Sequence, residues 1–178
     1  MPPEAPIVLV PLADATIELL PPLIRVLRKA FGRPVSLGPA VVPPPAAWRK
    51  ERGQCAAHVL VDALALAKRQ EWDRMLGVTD LDLFAPELNF VFGEADSRRG
   101  VAVMSIYRFA TKRSAEDRIR LAATEAVHEL GHTYGLRHCD DAHCVMWFSN
   151  TLAETERKGH RFCARHAAEM ATRAPWRT

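Results

Sequence analysis

The sequence predicts a single-domain α/β fold with a mixed sheet, and three observations support this class. Strand-like and helix-like segments alternate at the front, two more strand-like segments precede a long helix, and the balance of 48% hydrophobic and 25% charged residues is ordinary for a globular chain. A chain of 178 residues can also bury a substantial core, so we expect residues 1–178 to form a single domain.

The first predicted elements are a strand and a helix. Residues 7–12 form a short apolar run that is typical of a buried strand. Asp14 is a suitable N-cap for a helix that extends to about residue 29, and Gly32 is a suitable stop. The paired prolines at 21–22 are expected to kink or shorten that helix.

A second strand and a second helix follow. Residues 34–42 are a strand candidate, and the prolines at 43–45 predict a stiff surface loop, because the roughly 40 residues before them are too few for an independent core. Residues 56–69 are rich in alanine and leucine, which favours a helix. Residues 75–84 end in an alternation of apolar and acidic side chains, which favours a strand.

The remaining elements are two strands and two helices. Residues 88–92 and 101–109 predict strands that are joined by the polar segment 93–100. Ser114, followed by Asp117, resembles a capping box for a helix that runs to about residue 133. A last helix is predicted for residues 164–174.

The most informative segment starts at His128 and reads HELGHTYGLRH. On a helix, His128 and His132 lie about 40° apart around the axis and one turn apart along it, so both imidazoles can bind one metal ion. Glu129 lies beside that face, where its carboxylate can reach a water on the metal without binding the metal itself.

The third histidine, His138, can join the other two only if the helix ends. In a continuing helix it would lie about 9 Å beyond His132 and on another face. Gly135 stands where a turn with positive φ is least strained. Three neutral histidines leave one tetrahedral position for water, as in catalytic zinc sites, which predicts a zinc peptidase with Glu129 as the general base.

A second group of potential ligands comes after the third histidine. It supplies three thiolates and one imidazole, namely Cys139, Cys144, Cys163 and His166. This is a closed set of the structural zinc type, and its metal-binding energy would be folding energy. His143 and His160 compete as the fourth ligand, whereas Cys55 is expected in the core.

These residues resemble the metzincin signature, with Met146 in the position of the Met-turn. The continuation is similar to the archaemetzincin pattern HExxHxxGxxHC, four residues, CxM, a spacer and CxxC. Here the pattern runs through Cys139, Cys144 and Met146, and a gap of 16 residues precedes Cys163. His166 replaces the last cysteine of the family pattern. The resemblance covers about residues 114–166.

The resemblance implies a compact metzincin-like domain with a mixed, twisted sheet, an active-site helix that carries HExxH, and a C-terminal helix tied by a second zinc site. It also implies two zinc ions, one catalytic and one structural, and peptidase activity restricted to short or particular peptides. Because histidine is a competent zinc ligand, the second site is expected to survive with His166.

The resemblance also places the substrate in an extended conformation along an edge strand above the metal. Residues 88–92 or residues 93–100 are expected to form the rim of that cleft. Trp147 and Phe148 are candidates for a side-chain pocket, although we expect them in the core. Tyr134 could donate to the oxyanion, but we do not expect this role.

Two alternatives to an endopeptidase stay open. An aminopeptidase would need an acidic group to bind the substrate amine, and Glu94 and Asp96 are candidates, although a solvated loop is the expected role of both. A zinc-stabilised interaction module with vestigial or very restricted catalysis lies outside the enzyme class. Basic residues near the cysteines could then contact nucleic acid, but we expect them to form a solvated face. They are Arg157, Lys158, Arg161 and Arg165.

Charge and hydropathy limit the classes of binding partner that we expect. The net charge of +3 is spread along the chain, which does not indicate a nucleic-acid partner, and no apolar stretch approaches the roughly 20 residues of a membrane helix. The first ten residues carry no basic region before their apolar run, so we expect a cytoplasmic protein. We expect a monomer that acts on peptide or protein substrates.

Overall fold

The computed structural model describes residues 4–12, 17–111 and 114–174. In chain order its strands are β1 (Ile7–Leu12), β2 (Val35–Leu37), β3 (Trp48–Arg49), β4 (Gln54–Ala56), β5 (Arg74–Thr79), β6 (Leu83–Phe84), β7 (Gly93–Asp96) and β8 (Val101–Ser105). Its α-helices are α1 (Leu20–Phe31), α2 (Ala57–Ala67), α3 (Ala115–Thr133), α4 (Leu152–Lys158) and α5 (Ala164–Arg173). Short 3-10 helices span Ile17–Leu19, Pro45–Ala47 and Tyr107–Thr111.

The larger sheet has five strands in the order β2-β1-β5-β8-β7. All neighbouring pairs are parallel except β7 and β8, which are antiparallel, so the sheet is mixed at one edge. A smaller sheet contains β3, β4 and β6. The predicted α/β class with a mixed, twisted sheet is therefore confirmed.

Both faces of the larger sheet are covered by helices. Ile7 and Leu9 point to a core shared with α1 and α3, whereas Val8 and Val10 point to a core shared with α2. Successive side chains of a strand point to opposite faces, so a parallel strand between two helical layers must be apolar throughout. This explains why residues 7–12 form an uninterrupted hydrophobic run.

The first strand and helix match their predictions with one change. β1 spans the predicted residues, and Gly32 ends α1 in the left-handed region with φ 57°. The helix begins at Leu20 because the prolines at 21–22 occupy its first positions, where a missing N–H leaves no hydrogen bond unmade. Asp14, the predicted cap, lies outside the described residues.

Two predicted strands are shorter than expected. The strand predicted at 34–42 is confined to β2, and the strand predicted at 101–109 ends at Ser105, where a 3-10 helix follows. The helix predicted at 56–69 is α2, and Cys55 is buried beside its start as expected.

The single strand predicted at 75–84 is wrong. β5 ends at Thr79, a bend follows, and β6 belongs to the smaller sheet. Thr79 Oγ1 accepts a hydrogen bond from the Leu81 amide within that bend, and the Asp82 carboxylate accepts hydrogen bonds from Arg108. The alternation of polar and apolar residues reflects a turn, not the continuation of the strand.

The assignments of residues 88–92 and 93–100 are also wrong, because the strand lies in the segment predicted as a connection. Residues 88–92 are irregular, and the carbonyl groups of Leu88 and Asn89 accept hydrogen bonds from the Arg52 side chain. Only β7 pairs with β8 at the sheet edge, and a turn through residues 97–100 follows it.

The helices after residue 110 match the predictions, and one further helix is present. Ser114 caps α3, since its hydroxyl accepts a hydrogen bond from the Asp117 amide, and α5 covers the predicted C-terminal segment. The unpredicted α4 begins with a capping box formed by Thr151 and Glu154. Within the described ranges, none of the helices is both long and apolar enough to cross a membrane.

Candidate metal centre and cleft

Three histidine rings converge at the end of α3. His128 and His132 lie one turn apart on the helix, and His138 approaches them from the segment that follows. One ring nitrogen of each residue lies within 4.8 Å of those of the other two. The predicted three-histidine arrangement is therefore present in the geometry.

The chain reverses after α3 through a C-terminal capping motif. Gly135 has φ 82° and donates its amide hydrogen to the His132 carbonyl oxygen, while Leu136 donates to the Gly131 carbonyl oxygen. This pair of bonds is the Schellman arrangement, which requires the left-handed conformation that glycine adopts with least strain. The turn directs His138 back toward the two helical histidines.

Backbone carbonyl groups hold the first two rings in one orientation. His128 Nδ1 donates to the Val145 oxygen at 2.7 Å, and His132 Nδ1 donates to the Leu136 oxygen at 2.8 Å. Each bond leaves the Nε2 lone pair free to bind a cation. Burial lowers the pKa of His128 well below its usual value and that of His132 to about 4, so both rings are neutral near pH 7.

The geometry of this group fits zinc. His128 Nε2 and His132 Nε2 are 3.1 Å apart, and two nitrogens bound to one tetrahedral zinc at its usual bond length would be roughly 3.4 Å apart. Neither nitrogen can donate to the other while both Nδ1 atoms carry the hydrogen, and a shared cation would bind the lone pairs of both.

Glu129 lies between α3 and the edge strand β7. The residue is 5% exposed, and burial raises the pKa of its carboxyl well above the usual range, with a further increase from the neighbouring Glu125 carboxylate. Gly93 faces this carboxyl, because a Cβ on Gly93 would lie 2.6 Å from Glu129 Cδ. A glycine in β7 thus leaves the space that Glu129 occupies.

Met146 packs beneath the active-site helix. It is fully buried, and a Cβ on Gly131 would lie 2.6 Å from its sulfur atom. The segment around it is fixed by hydrogen bonds from the Cys139 amide to the Met146 oxygen and from the Val145 amide to the Arg161 oxygen. Met146 therefore packs directly against the last turns of α3, which carry His128 and His132.

A second cluster contains the three cysteines and His166. Cys139 Sγ is 3.8 Å from Cys163 Sγ, and His166 Nδ1 is 3.5 Å from the sulfur atoms of Cys144 and Cys163. Tetrahedral zinc with three sulfur ligands and one nitrogen would give roughly 3.8 and 3.6 Å for such pairs. The set fits zinc and includes His166 rather than His143 or His160.

Burial makes a nearby cation necessary for the thiolate form of Cys144. It raises the pKa of Cys144 to about 12, so the thiol stays protonated unless a positive charge compensates. Arg165 donates to Cys139 Sγ at 3.3 Å, which supplies part of that compensation. The cluster joins the segment after His138 to α5, as the sequence predicted.

The cleft beside the histidines is bordered by β7 on one side and by Phe148 on the other. The expected core position of Phe148 is wrong, because this side chain is 44% exposed and packs against the His138 ring at a centroid distance of 4.9 Å. Residues 88–92 line a neighbouring cavity, so both candidate rim segments contribute to the walls.

Tyr134 is turned away from the cleft, as we expected. Its hydroxyl group donates to Asp73 Oδ2 in a short hydrogen bond, and its ring lies beneath the Arg74 guanidinium at 4.2 Å. The hydroxyl therefore anchors the end of α3 to the start of β5 and is not available to an oxyanion.

The structure offers little support for an amine-binding acid in the candidates Glu94 and Asp96. Glu94 pairs with Val103, whose side chain belongs to the core on the α2 face, so Glu94 points away from α3. Asp96 accepts hydrogen bonds from the amides of Arg98 and Arg99 and from the Arg99 side chain in the turn after β7.

The sequence analysis missed two charged residues beside the histidines, Glu125 and Lys158. The expectation of a solvated Lys158 is wrong, because it is 3% exposed and its Nζ lies 3.2 Å from Glu125 Oε1 and 3.3 Å from His128 Nδ1. Glu125 precedes His128 by three residues on a helix, so the helical period was a signal that could have placed it on the same face. No comparable feature of the sequence indicated that Lys158 of α4 would contact Glu125.

Sequence comparisons connect the chain to known proteins. A family model described as peptidase family M54 matches residues 34–172. The archaemetzincin of Methanopyrus kandleri is 46% identical over 122 residues, which are 68% of this chain and 69% of that protein. The archaemetzincin of Methanocaldococcus jannaschii is 33% identical over 171 residues, which are 92% and 91% of the two chains.

Structural comparisons agree with the sequence comparisons. The crystal structure of the Methanopyrus kandleri archaemetzincin is similar with a TM-score of 0.88 and 34% identity, and the match covers 96% of this chain and 95% of that one. The Archaeoglobus fulgidus archaemetzincin, solved in complex with malonate, gives a TM-score of 0.81 with 32% identity over 92% and 99% of the two chains.

Proposed function

Because the chain belongs to peptidase family M54, the archaemetzincins, and is therefore a zinc metallopeptidase, we propose that it cleaves peptide bonds with Glu129 as the general base. The observation that carries this proposal is the convergence of His128, His132 and His138 beside the Glu129 carboxyl. The three rings are the residues that would hold the catalytic zinc.

Held by these three residues, zinc would supply a water with a pKa lowered toward about 7 and a positive charge that polarises a carbonyl oxygen. Glu129 would accept a proton from the attacking water on its carboxylate and later deliver it to the nitrogen of the leaving amine. Its buried position supports this role, since burial raises the pKa of the carboxyl from its usual acidic value and makes the carboxylate a stronger base.

The His128 and His132 rings act through their fixed orientation. Their Nδ1 hydrogens are donated to the Val145 and Leu136 carbonyl oxygens, so the Nε2 atoms face the cleft. Such preorganisation lowers the cost of ordering the two rings when the metal binds.

The edge strand β7 is the proposed docking element for the peptide. It pairs with β8 on one side and is the terminal strand of its sheet. An extended peptide can add to such an edge through main-chain hydrogen bonds, which places the scissile bond near the histidines. Gly93 and Ala95 are small, so they leave the cleft open along this edge.

We also propose that the second cluster holds a structural zinc and that the described residues act as one peptidase domain. The thiolate-rich set has no free position for a substrate once four ligands are bound, which suits a structural role. The helices α1, α2 and α3 cover both faces of one sheet, which supports a single folding unit.

Cleavage of a peptide library by the zinc-loaded protein tests the proposed activity. Wild type should cleave, and Glu129→Gln should lose at least roughly 100-fold in kcat/KM, because proton transfer by a positioned carboxylate contributes about 10² to 10⁴. The matched control is Glu116→Gln, an exposed acid on the same helix, which should cleave like wild type.

Zinc content separates the possible outcomes. Both variants should bind as much zinc as wild type, since neither residue is a proposed ligand. Equal cleavage by wild type and Glu129→Gln would eliminate the proposed base. If no library peptide is cleaved by a zinc-loaded wild type, an interaction module with vestigial catalysis becomes the better interpretation.

A further inference from the structure

A cavity of about 290 Å³ lies next to the histidine cleft and shares Gly93, His128, Glu129 and Phe148 with it. Its outer walls come from the irregular segment 88–92 and from residues 148–150. Such a volume is enough for one large amino-acid side chain. A peptide along β7 would therefore place a side chain beside the scissile bond into this cavity.

The inner wall of the cavity is charged, although three phenylalanines line its other sides. Glu125 contributes a carboxylate that is 98% buried, since its exposed fraction is 2%, and Lys158 is adjacent to it. A buried carboxylate does not help a pocket to bind an aliphatic or aromatic side chain, and burying that charge is unfavourable.

Two polar atoms on the lining residues lack hydrogen bonds. Among the residues that the structure describes, four buried side-chain atoms have no hydrogen-bond partner, and two of them are Glu125 Oε1 and Ser149 Oγ. Both residues line this cavity. Buried polar atoms in native proteins are nearly always hydrogen-bonded, so two exceptions around one cavity point to a ligand that completes them.

Lys158 forms an ion pair with Glu125 but does not donate a hydrogen bond to Glu125 Oε1. Its Nζ is 3.2 Å from Glu125 Oε1, which makes an ion pair, but the direction of approach does not satisfy that oxygen with a hydrogen bond. The same Nζ donates to the Trp147 carbonyl oxygen at 3.2 Å, and its side chain is 1% exposed. Lys158 also lines the cavity, but its ammonium group is held between Glu125 and the Trp147 carbonyl oxygen, where it neutralises the carboxylate.

We propose that this cavity selects a substrate side chain that ends in N–H donors, such as the amide of glutamine or the guanidinium of arginine, with Glu125 as the specificity-determining residue. The proposal deepens the peptidase function proposed above and rests on it. An ionised carboxylate only accepts hydrogen bonds, so it favours the binding of a side chain with N–H donors and disfavours the binding of an acidic side chain. The Ser149 hydroxyl can accept from a second N–H of the same group.

Glutamine, methionine and glutamate have nearly the same length and shape, so they form the test series. We would prepare three succinyl hydroxamates that differ only in this side chain and measure their Kd for the zinc-loaded protein by calorimetry. Wild type should bind the glutamine compound roughly tenfold or more tightly than the methionine compound, and the glutamate compound most weakly. Binding does not depend on turnover, so this order is measurable even in a protein that cleaves nothing.

The variant Glu125→Gln should remove the discrimination, because an amide both donates and accepts. The glutamate compound should then bind within about threefold of the glutamine compound, whereas Glu116→Gln should keep the wild-type order. If Glu125→Gln does not fold beside the buried lysine, the double variant Glu125→Gln with Lys158→Met removes both charges of the pair and should also lose the order.

Tightest binding of the methionine compound would overturn the inference, and so would an order of affinities that Glu125→Gln leaves unchanged. Tightest binding of the glutamate compound would equally contradict it and would assign the selection to Lys158. A peptide library cleaved without enrichment of glutamine or arginine next to the scissile bond would also count against it. Absence of cleavage together with the predicted order of affinities would reject the peptidase activity and leave the cavity assignment standing.

Discussion

Gly93 and Glu129 face each other across the gap between the edge strand and the active-site helix, at a separation that excludes any side chain on the strand. A Cβ at position 93 would lie 2.6 Å from the Cγ, Cδ and Oε1 atoms of Glu129. Real Cβ atoms do not approach other heavy atoms so closely, so the glycine and the carboxyl position depend on each other.

The variant Gly93→Ala should therefore displace Glu129. We expect kcat/KM to fall by roughly 100-fold, the loss that a displacement of about 1 Å can cause, while zinc content stays unchanged. Steady-state cleavage and metal analysis measure the two quantities. An alanine variant with wild-type kcat/KM would show that the carboxyl position is not critical.

The contact between Met146 and Gly131 predicts a stability effect. Met146→Ala should lower the free energy of unfolding by about 2–5 kcal/mol, because the fully buried side chain leaves a cavity. Met146→Leu nearly conserves the volume and should cost less than about 1.5 kcal/mol. Urea unfolding compares the pair, and equal losses would mean that packing volume does not explain the methionine.

The hydroxyl of Tyr134 should contribute to stability and not to catalysis. Tyr134→Phe keeps the ring under Arg74 but removes the donor to Asp73, so we expect a loss of about 1–3 kcal/mol in the free energy of unfolding. The value of kcat should stay within about twofold of wild type at a temperature where both proteins are folded. A large drop in kcat at full folding would instead indicate a role in the reaction.

The second cluster predicts a joint loss of metal and stability. Cys144→Ser should remove about one zinc per chain and lower the Tm, because metal binding at this site contributes to folding. Cys55→Ser is the matched control, since Cys55 is buried far from the cluster in the α2 core and should leave the zinc content unchanged. Unchanged zinc in Cys144→Ser would remove the structural site from the proposal.

The buried histidines predict how pH affects the protein after chelation of the catalytic metal. Burial lowers the pKa of His132 to about 4, whereas an unfolded histidine has a pKa near 6.5, so the unfolded state binds more protons between these values. The free energy of unfolding should therefore be highest above about pH 6.5 and decrease as the pH falls toward 4. At pH 5, protonation of His132 in the unfolded state should lower the free energy of unfolding by about 2 kcal/mol relative to its value at neutral pH.

Urea unfolding of chelated protein at pH 7.5 and pH 5 measures this effect. The variant His132→Asn lacks the titrating ring, so its free energy of unfolding should change less between the two pH values. Identical changes in wild type and variant would show that His132 is not held in its neutral form.

Local sequence was enough for the active-site helix and the turn after it. Ser114 caps the helix, the spacing of His128 and His132 places both on one face, and Gly135 ends the helix in the left-handed region. Each of these features depends on residues within one or two helical turns, so the helical period and glycine stereochemistry determine them without the rest of the chain.

The edge strand was not predictable in this way. Residues 93–96 are Gly-Glu-Ala-Asp, which lacks the β-branched and aromatic residues typical of strands. The strand was therefore predicted in the more apolar segment 88–92. β7 forms by pairing with β8 across the turn at residues 97–100, and its first residue is a glycine that leaves space for Glu129. Only the contact between Gly93 and Glu129 joins distant parts of the chain, and the local composition does not encode it.

The sequence by itself thus determined the α/β class, the ends of α3 and the two groups of potential metal ligands. Only the tertiary structure decided that Phe148 borders the cleft and that Lys158, from a basic segment, is buried against Glu125. The physical reason is that burial and ion pairing depend on which surfaces meet after folding, and no local period of the sequence encodes the meeting of α3 with α4.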